Sequence, residues 1–296
     1  MNKIRRGNRE GSRLFGYLMV VPATLLLVVV SIIPLLDGVY LAFTNTNLNT
    51  GADAWVGIQN FVEIFQDSKF YQVFGFTILY AFAVVLFSYI LGMLIALLLN
   101  QDIRFRGVFR AIILAPWVVP PVVATITWSW LLNDKVGLIN TVLQNIGMIQ
   151  EPIYFLSDLT LVKGTVIAFG VWKSYPFMMI TLLAGMQSID GVLYEAAKID
   201  GCNSVKTLWY VIVPMLKPSL VSCALFQFMW TSNDFMGPLI YISDMPKYTN
   251  SIYLRMSMDG DVGFQWNRIL AMSLISIIPS LIVFFCAQDS FIDGIA

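Results

Sequence analysis

Long runs of apolar residues alternate with shorter polar segments along this chain of 296 residues. Six of the runs reach the length of about 20 residues that an α-helix needs to cross the apolar core of a bilayer. They lie at 14–43, 71–100, 109–132, 161–187, 208–241 and 268–288. The pattern predicts an all-α integral membrane protein, with a six-helix membrane domain at 14–288 and tails at 1–13 and 289–296.

Composition favours a bilayer over water as the solvent of this chain. Hydrophobic residues make up 58% of it and charged residues 12%, and the mean hydropathy is +0.75. Soluble domains carry about a quarter charged residues, and one core could not bury so much apolar surface. The net charge of zero gives no reason to expect a nucleic-acid partner. Histidine is absent and the three cysteines lack metal-ligand spacing, so neither catalytic residues nor a metal site are predicted.

Lysine and arginine are distributed unequally between the two sides of the predicted helices. One side carries eleven of them and the other six, and positively charged connections mark the cytoplasmic side. The eleven are Lys3, Arg5, Arg6, Arg9, Arg13, Arg104, Arg106, Arg110, Lys198, Lys206 and Lys217, and the six are Lys69, Lys135, Lys163, Lys247, Arg255 and Arg268. The bias predicts that both tails and the connection at 188–213 are cytoplasmic.

One of the connections on the other side has a helical pattern. Residues 59–70 place Phe61, Ile64 and Phe65 on one helical face. This spacing predicts an interfacial helix on the outer surface. An ordinary connecting helix and a docking surface for an outside partner are the two interpretations left open.

A polar segment separates the fourth and fifth predicted spans. Residues 192–200 contain good helix formers and predict a short helix, after which Gly201 suits a turn with positive φ. A second helical run is predicted from Ser204 to Val213, directly before Pro214. The connection is therefore expected to form a compact helical knob, held at both ends by spanning helices.

The residue spacing in this segment resembles the EAA loop of ABC-importer permeases. The matching features are Glu195-Ala196-Ala197, Gly201 six residues after the glutamate, and Val211-x-Val213-Pro214. Segments 57–61, 115–120 and 233–239 also resemble the binding-protein-dependent sugar permeases, most of all their MalF-type subunit. Residues 288–296 resemble the tail of the partner permease instead, so the choice between the MalF-like and MalG-like half stays open.

The resemblance implies the type I ABC importer permease fold, with a coupling helix that docks on a separate ATPase. Glu195 would accept a charge-assisted hydrogen bond there, while Ala196 and Ala197 would allow close approach. Gly201 would permit the bend. The coupling residues implied are Glu195, Ala196, Ala197, Lys198, Asp200, Gly201 and Pro214. Lys198 and Asp200 could equally be ordinary exposed charges.

The same resemblance implies partners for this chain and no enzymatic activity of its own. The phosphate-binding motif G-x-x-x-x-G-K-[ST] is missing, because Lys173-Ser174 follows Trp172 and not glycine. ATP and magnesium are therefore expected in two ABC ATPase subunits, with no cofactor in this chain. The other implied partners are a second, MalG-like permease subunit that completes a heterodimer, an extracytoplasmic solute-binding protein, membrane lipid and a sugar. Transport would follow alternating access.

Polar residues inside the predicted spans are candidates for the solute pathway, because placing them in a bilayer is costly. Gln227, Thr231 and Asp234 have the spacing of one helical face, and so do the candidates between Gly170 and Phe177. Prolines in the third span predict a broken or bent helix. The predicted pathway residues are Trp117, Pro121, Gly170, Lys173, Ser174, Phe177, Gln227, Thr231 and Asp234. The resemblance implies sugar contact at all of them except Pro121 and Gly170.

Other interpretations of these residues stay open. Trp117 could serve packing, and the hydroxyls of Ser174 and Thr231 could bond across helices. Lys173 could pair with Asp234, or it could suit an acidic sugar. The leading interpretation is an importer permease for a sugar or oligosaccharide, and glycerol phosphate or another polyol is the nearest rival solute. An ion-coupled secondary transporter is less favoured, since the first three spans show no repeat in the last three.

Overall fold

A computed structural model describes residues 2–46, 54–158, 160–242, 248–258 and 266–293, with side chains described between residues 15 and 289 of these ranges. Almost all of the described chain is helical, which confirms the all-α prediction. The α-helices are α1 (Asn2–Leu27), α2 (Ile33–Ala42), α3 (Gln59–Gln66), α4 (Ser68–Leu99), α5 (Arg106–Val118), α6 (Pro121–Leu131), α7 (Leu138–Asn145), α8 (Leu161–Ser188), α9 (Gly191–Ile199), α10 (Ser204–Thr207), α11 (Val213–Met215), α12 (Lys217–Ser232), α13 (Met236–Tyr241), α14 (Asn250–Met256) and α15 (Trp266–Asp293). Two π-helical turns lie at Val28–Ile32 and Leu208–Ile212.

Four continuous helices of the described chain are long and apolar enough to cross a membrane. They span Phe15–Ala42, Ser68–Leu99, Leu161–Ser188 and Trp266–Asp289. Two further candidates are bent pairs, in which Arg106–Val118 meets Pro121–Leu131 at 93° and Ser204–Met215 meets Lys217–Ser232 at 72°. Counting each bent pair as one crossing gives the predicted six, and the expected break in the third span is confirmed.

The fifth predicted span, 208–241, is not one continuous helix. It is divided at Leu216, and again between α12 and α13. Pro218 has no amide hydrogen to donate to the carbonyl of Pro214, four residues earlier, and this missing bond lies at the first division. The single apolar run at 208–241 therefore corresponds to several helical segments, and Pro218 removes a helical hydrogen bond where the first two of its major parts meet.

The chain divides into two compact units, Met1–Gln66 with Ser257–Ile275 and Asp67–Met256 with Ser276–Ala296. In the first unit, the residues from α1 through the first π-helical turn to α2 form one continuous helix. Asn60 then donates hydrogen bonds of 2.8 and 2.9 Å to the carbonyls of Ala42 and Thr44. Asn267 donates a further bond of 2.6 Å to the carbonyl of Thr44. These amides fix the chain where the helix ends.

Two predicted segments differ from the structure in their bounds. The predicted tail at 1–13 is continuous with α1 from Asn2 onward, whereas residue 1 and residues 294–296 of the other tail lie outside the described residues. The outer helix expected at 59–70 ends at Gln66, because Asp67 leaves the helical conformation and accepts a bond of 3.0 Å from the amide of Lys69. Asp67 thereby caps α4.

The second unit is built around the packing of α4 against α8. One cluster of buried side chains includes Tyr80, Val84, Val166, Phe169 and Tyr241, and another includes Ala96, Met179, Leu182, Met186 and Leu216. Glycines allow the two backbones to approach closely. A Cβ on Gly92 would lie 2.8 Å from the Cβ of Met178, and one on Gly170 would lie 2.8 Å from Cγ2 of Val84.

Candidate functional site

The break between α5 and α6 follows from two successive prolines. A residue that precedes proline is driven out of the helical conformation, and here this applies to both Val119 and Pro120. Their φ/ψ angles are −60°/131° and −53°/135°, so the chain is extended between the two helices. The amide of Val119 makes the last bond of α5, to Ala115, and the amide of Ala124 makes the first bond of α6, to Pro120. The break turns the chain by 93°.

A cavity of about 340 Å³ lies beside this break, within the second unit. Residues of α4, α5, α6, α8, α12 and α13, together with the intervening turns, form its wall. The lining residues are Tyr80, Trp117, Val118, Val119, Pro120, Pro121, Thr125, Phe169, Gly170, Lys173, Ser174, Gln227, Trp230, Thr231, Asp234 and Gly237. The structure therefore brings eight of the nine predicted pathway residues to one cavity, the exception being Phe177.

Lys173 of α8 is directed at the broken end of α5. Its ammonium donates hydrogen bonds of 2.7 Å to the carbonyl of Pro116 and 3.3 Å to that of Trp117, and a third to the carbonyl of Val119. An ammonium has three hydrogens to donate, so the carbonyls account for all of them. Among the residues that line the described cavity, no ion pair joins Lys173 to Asp234. The interpretation that the two charges pair with each other is therefore wrong.

Asp234 lies in the turn after α12. The expected helical face through Gln227, Thr231 and Asp234 therefore ends before its last member, since α12 stops at Ser232. Asp234 Oδ2 accepts a hydrogen bond of 2.9 Å from the hydroxyl of Tyr80, and Oδ1 accepts one of 3.2 Å from the amide of Gly237. The carboxylate is thus held by groups of the protein on both oxygens.

The amide of Gln227 links α12 to α8 across the cavity wall. Its Nε2 donates bonds of 2.7 Å to Ser174 Oγ and 2.8 Å to Thr231 Oγ1. Gln227 and Thr231 are each only 4% exposed. The hydroxyl of Ser174 therefore does bond across helices, whereas that of Thr231 bonds within its own helix. They also present hydrogen-bonding oxygens at the cavity, and such oxygens are partners for sugar hydroxyls.

Aromatic rings form a second surface near these polar groups. The ring centroids of Trp117 and Phe177 are 6.0 Å apart, and Phe177 meets Trp230 edge to face at 5.0 Å. Trp117 is 47% exposed and Trp230 is 52% exposed, so neither indole is simply buried packing. Phe177 thus contacts both tryptophans without itself lining the cavity. Flat apolar faces of this kind stack on the C–H faces of sugar rings.

Several lining residues had not been predicted as pathway residues. Trp230 lies three positions after Gln227, and this helical spacing could have identified it. Thr125 and Phe169 could have been identified in the same way, since the first lies four positions after Pro121 and the second directly precedes Gly170. Tyr80 offered no such signal, because it is one of three tyrosines in α4 and nothing in the sequence marks it for a partner elsewhere in the chain.

The predicted coupling segment forms a capped helix, a tight turn and a second helical run. Asp190 accepts a bond of 3.0 Å from the amide of Val192 at the start of α9. At its end, the amides of Gly201 and Cys202 donate to the carbonyls of Lys198 and Ala197, at 3.2 and 2.9 Å. This is the Schellman pattern, and Gly201 has the positive φ of 76° that it requires. The predicted helix at 192–200, the glycine turn and the run from Ser204 toward Pro214 are confirmed as structure.

The predicted coupling residues differ in exposure. Glu195, Ala196, Lys198, Asp200, Gly201 and Pro214 are exposed, whereas Ala197 is 5% exposed. Ala197 therefore packs inside this chain and is not available for close approach by a partner, which corrects the role expected for it. Tyr194, one residue before the motif, is partly buried, and this burial raises the pKa of its phenol. Exposed apolar side chains that the motif did not indicate also lie here: Ile199, Val205, Trp209 and Tyr210.

The three cysteines and the acidic residues form no metal centre in the described part of the chain. Cys202, Cys223 and Cys286 are free thiols. Among the described residues, no group of three or more histidine, cysteine, aspartate or glutamate side chains is placed to hold an ion. The chemistry of the site therefore rests on hydrogen bonds, aromatic faces and the two charged residues already described.

Comparison with known proteins places this arrangement among membrane transport components. Residues 88–291 match the family described as binding-protein-dependent transport system inner membrane component. The trehalose/maltose transport system permease protein MalF of Thermococcus litoralis is 33% identical over 206 residues, which cover 70% of this chain and 69% of that protein. The sulfoquinovosyl glycerol transport system permease protein SmoG of Agrobacterium fabrum is 29% identical over 237 residues, which cover 80% of this chain and 76% of that protein.

A solved structure shares the fold. It is a bacterial alginate ABC transporter in complex with an alginate pentasaccharide-bound periplasmic protein. One of its chains superimposes with a TM-score of 0.80 and 20% identity, over 95% of this chain and 94% of that chain. At this identity the likeness concerns the fold alone, and it confirms the predicted importer-permease fold.

Proposed function

Because this chain belongs to the family of binding-protein-dependent transport system inner membrane components, we propose that it is a permease subunit of an ATP-driven ABC importer for a sugar or oligosaccharide. It is a multi-pass inner-membrane protein and is not itself an enzyme. The solutes for which the relatives are named, trehalose, maltose and sulfoquinovosyl glycerol, support a carbohydrate solute.

The observation that carries the proposal is the composition of the cavity wall. Gln227, Ser174 and Thr231 supply amide and hydroxyl groups, and Trp117 and Trp230 supply exposed aromatic faces. A sugar needs both kinds of surface, since its hydroxyls require hydrogen-bond partners and its ring carbons favour aromatic contact. The cavity would form this subunit's half of a translocation pathway.

Energy would reach the cavity from outside this chain. The exposed face of α9, including Glu195, would dock on one of two ABC ATPase subunits that bind ATP and magnesium. A second permease subunit of the MalG-like kind would complete the pathway, and an extracytoplasmic binding protein would deliver the solute. In alternating access, closure of the ATPases would turn the cavity outward, and hydrolysis would return it to the inside. Such a cycle requires each partner to bind the two conformations with different affinity.

The test is sugar uptake by the complete importer in proteoliposomes. Radiolabelled oligosaccharides, presented with the binding protein, are expected to accumulate only when ATP is supplied to the ATPase. Gln227→Met and Thr231→Val are expected to reduce uptake about tenfold each, the effect of losing one good polar contact in a buried site. Thr127→Val is the matched control, because this exposed threonine bonds only within its own helix and does not line the cavity. Uptake that follows an ion gradient and not ATP would contradict the proposal.

A further inference from the structure

The broken end of α5 leaves two particular carbonyls without their helical partners. In an α-helix the amide of residue i donates to the carbonyl of residue i−4. The carbonyls of Pro116 and Trp117 would therefore be paired with the amides of residues 120 and 121. Both of these residues are proline and have no amide hydrogen. Carbonyls left unpaired within a membrane protein are costly, so a replacement donor is needed.

The ammonium of Lys173 supplies this replacement. It donates to the same two carbonyls, at 2.7 Å for Pro116 and 3.3 Å for Trp117, and also to the carbonyl of Val119 in the extended break. A cation is favoured at this place because the carbonyl end of a helix carries partial negative charge. One side chain thus satisfies the end of α5 and the linker that follows it.

We propose that Lys173 is a positioning residue that replaces the two amide donors missing at Pro120 and Pro121, and so fixes the α5–α6 break that forms the cavity wall. Without the ammonium, the freed carbonyls have no donor from this wall and the 93° turn loses its support. Lys173 then acts on transport through the position of α5 and α6, and not by contact with the solute.

This role also bears on the class of solute, an extension that rests on the proposed function. Lys173 and Asp234 are the two charged residues among those that line the described cavity. The first is bound to carbonyls, and the second is held by Tyr80 and Gly237. All of these partners are uncharged, so they occupy the hydrogen-bonding groups of the two side chains without neutralising their opposite charges. One positive and one negative side chain leave the described lining without net formal charge, which favours an uncharged sugar over an acidic one.

The experiment is a mutant cycle on the intact importer, purified with its partner subunits in lipid nanodiscs and without solute. It compares the native complex with Lys173→Met, Pro120→Ala/Pro121→Ala, and the triple variant that combines them. Lys173→Met is expected to lower the midpoint of thermal unfolding when both prolines are present, and to have a much smaller effect when alanines restore the amide donors. Lys173→Arg retains donors and is expected to unfold close to the native midpoint. Lys135→Met, on an exposed lysine outside the cavity, is the control.

Each outcome decides for or against the role of Lys173. An equal fall in the midpoint in both backgrounds, or no fall in either, overturns it. Where Lys173→Met does not assemble, recovery of assembly in the triple variant supports the role and continued failure overturns it. Where the double-alanine variant does not assemble, Pro121→Ala alone restores the donor for Trp117, and the same comparison is made in that background.

Uptake kinetics separate positioning from solute contact. The positioning role predicts that Lys173→Met lowers the maximal rate about tenfold or more, with recovery in the triple variant, and that neutral sugars are preferred over uronides of the same length. The positioning role is overturned if Lys173→Met raises KM for uronides alone, both with the native prolines and with alanines at 120 and 121. The thermal comparison contains no solute, so its failure would leave sugar import standing. Absence of sugar uptake by the native complex would instead contradict the proposed function.

Discussion

Tyr80 of α4 donates a hydrogen bond of 2.9 Å to Oδ2 of Asp234, although the two residues are 154 positions apart in the chain. The tyrosine has no exposed surface, and its bond joins the longest rod of the second unit to the turn between α12 and α13. The amide of Gly237 holds the other carboxylate oxygen. The orientation of this acidic group is therefore set from two directions.

Replacement of Tyr80 by phenylalanine tests the importance of this bond. We expect the purified complex to lose about 1–3 kcal/mol of stability, since a partly buried carboxylate is deprived of one donor while the ring volume is kept. Thermal unfolding of the complex in nanodiscs measures the change. Tyr154→Phe is the control, because Tyr154 is 53% exposed. Equal unfolding midpoints for the two variants would show that the bond contributes nothing.

Gly237 is expected to tolerate no side chain. A Cβ at this position would lie 2.7 Å from Oδ2 of Asp234, closer than real contacts allow. Gly237→Ala should therefore lower stability by about 1–3 kcal/mol, as overpacking does, although alanine is the better helix former. Gly164→Ala in α8 is the matched control, since a Cβ there meets no atom within 4 Å. Similar effects at both glycines would argue against a steric role for Gly237.

Glu195 is exposed, so a change of its charge should affect a partner more than the fold. We expect Glu195→Gln to weaken binding of the purified ATPase about tenfold, the loss of one charge-assisted hydrogen bond, without a change in thermal unfolding. Titration of the ATPase onto nanodisc-embedded permease measures the dissociation constant. Glu151→Gln changes an equally exposed glutamate in another connection and should have no effect. Unchanged ATPase binding by Glu195→Gln would rule out the proposed coupling contact.

Gly201 is expected to be needed for its backbone conformation. Its φ of 76° costs other residues about 1–2 kcal/mol, while a Cβ there would meet no atom within 4 Å. Gly201→Ala should therefore loosen the end of α9 and speed hydrogen exchange at the amides of Gly201 and Cys202. Exchange monitored by mass spectrometry tests this. Gly191→Ala is the control, because Gly191 also has open space around it but lacks a positive φ. Slow exchange retained in Gly201→Ala would contradict the strain argument.

Local rules predicted the coupling segment well. The helix expected at 192–200 is found at Gly191–Ile199, and Gly201 has the expected positive φ. Helix propensity and the glycine C-cap depend on neighbours within a few residues, so the sequence contains the needed information. The burial of Ala197 could not be predicted in this way, because it depends on which side of the short helix packs against the rest of the chain.

Long-range partners limited the prediction of the cavity. The cost of polar groups in a bilayer correctly grouped Lys173, Gln227 and Asp234, but it did not say what each would bind. Opposite charge suggested that Lys173 pairs with Asp234, whereas the carbonyls freed by two prolines are its actual partners. Tyr80 was missed because α4 carries several hydroxyl side chains, and their spacing does not show which one bonds to a distant residue. Accounting for the amide hydrogens missing at Pro120 and Pro121 would have indicated the partners of Lys173.

The fixed partners of Lys173 and Asp234 have a consequence for transport across a polarised membrane. Both side chains are bonded to their own protein and stay behind when a solute leaves the cavity. Moving one elementary charge through 100 mV takes about 2.3 kcal/mol, and a neutral sugar carries no charge on which the membrane voltage can act. The import rate is therefore expected to be insensitive to the membrane voltage. The phosphorylation potential of ATP alone would then determine how steep a sugar gradient the cell can hold.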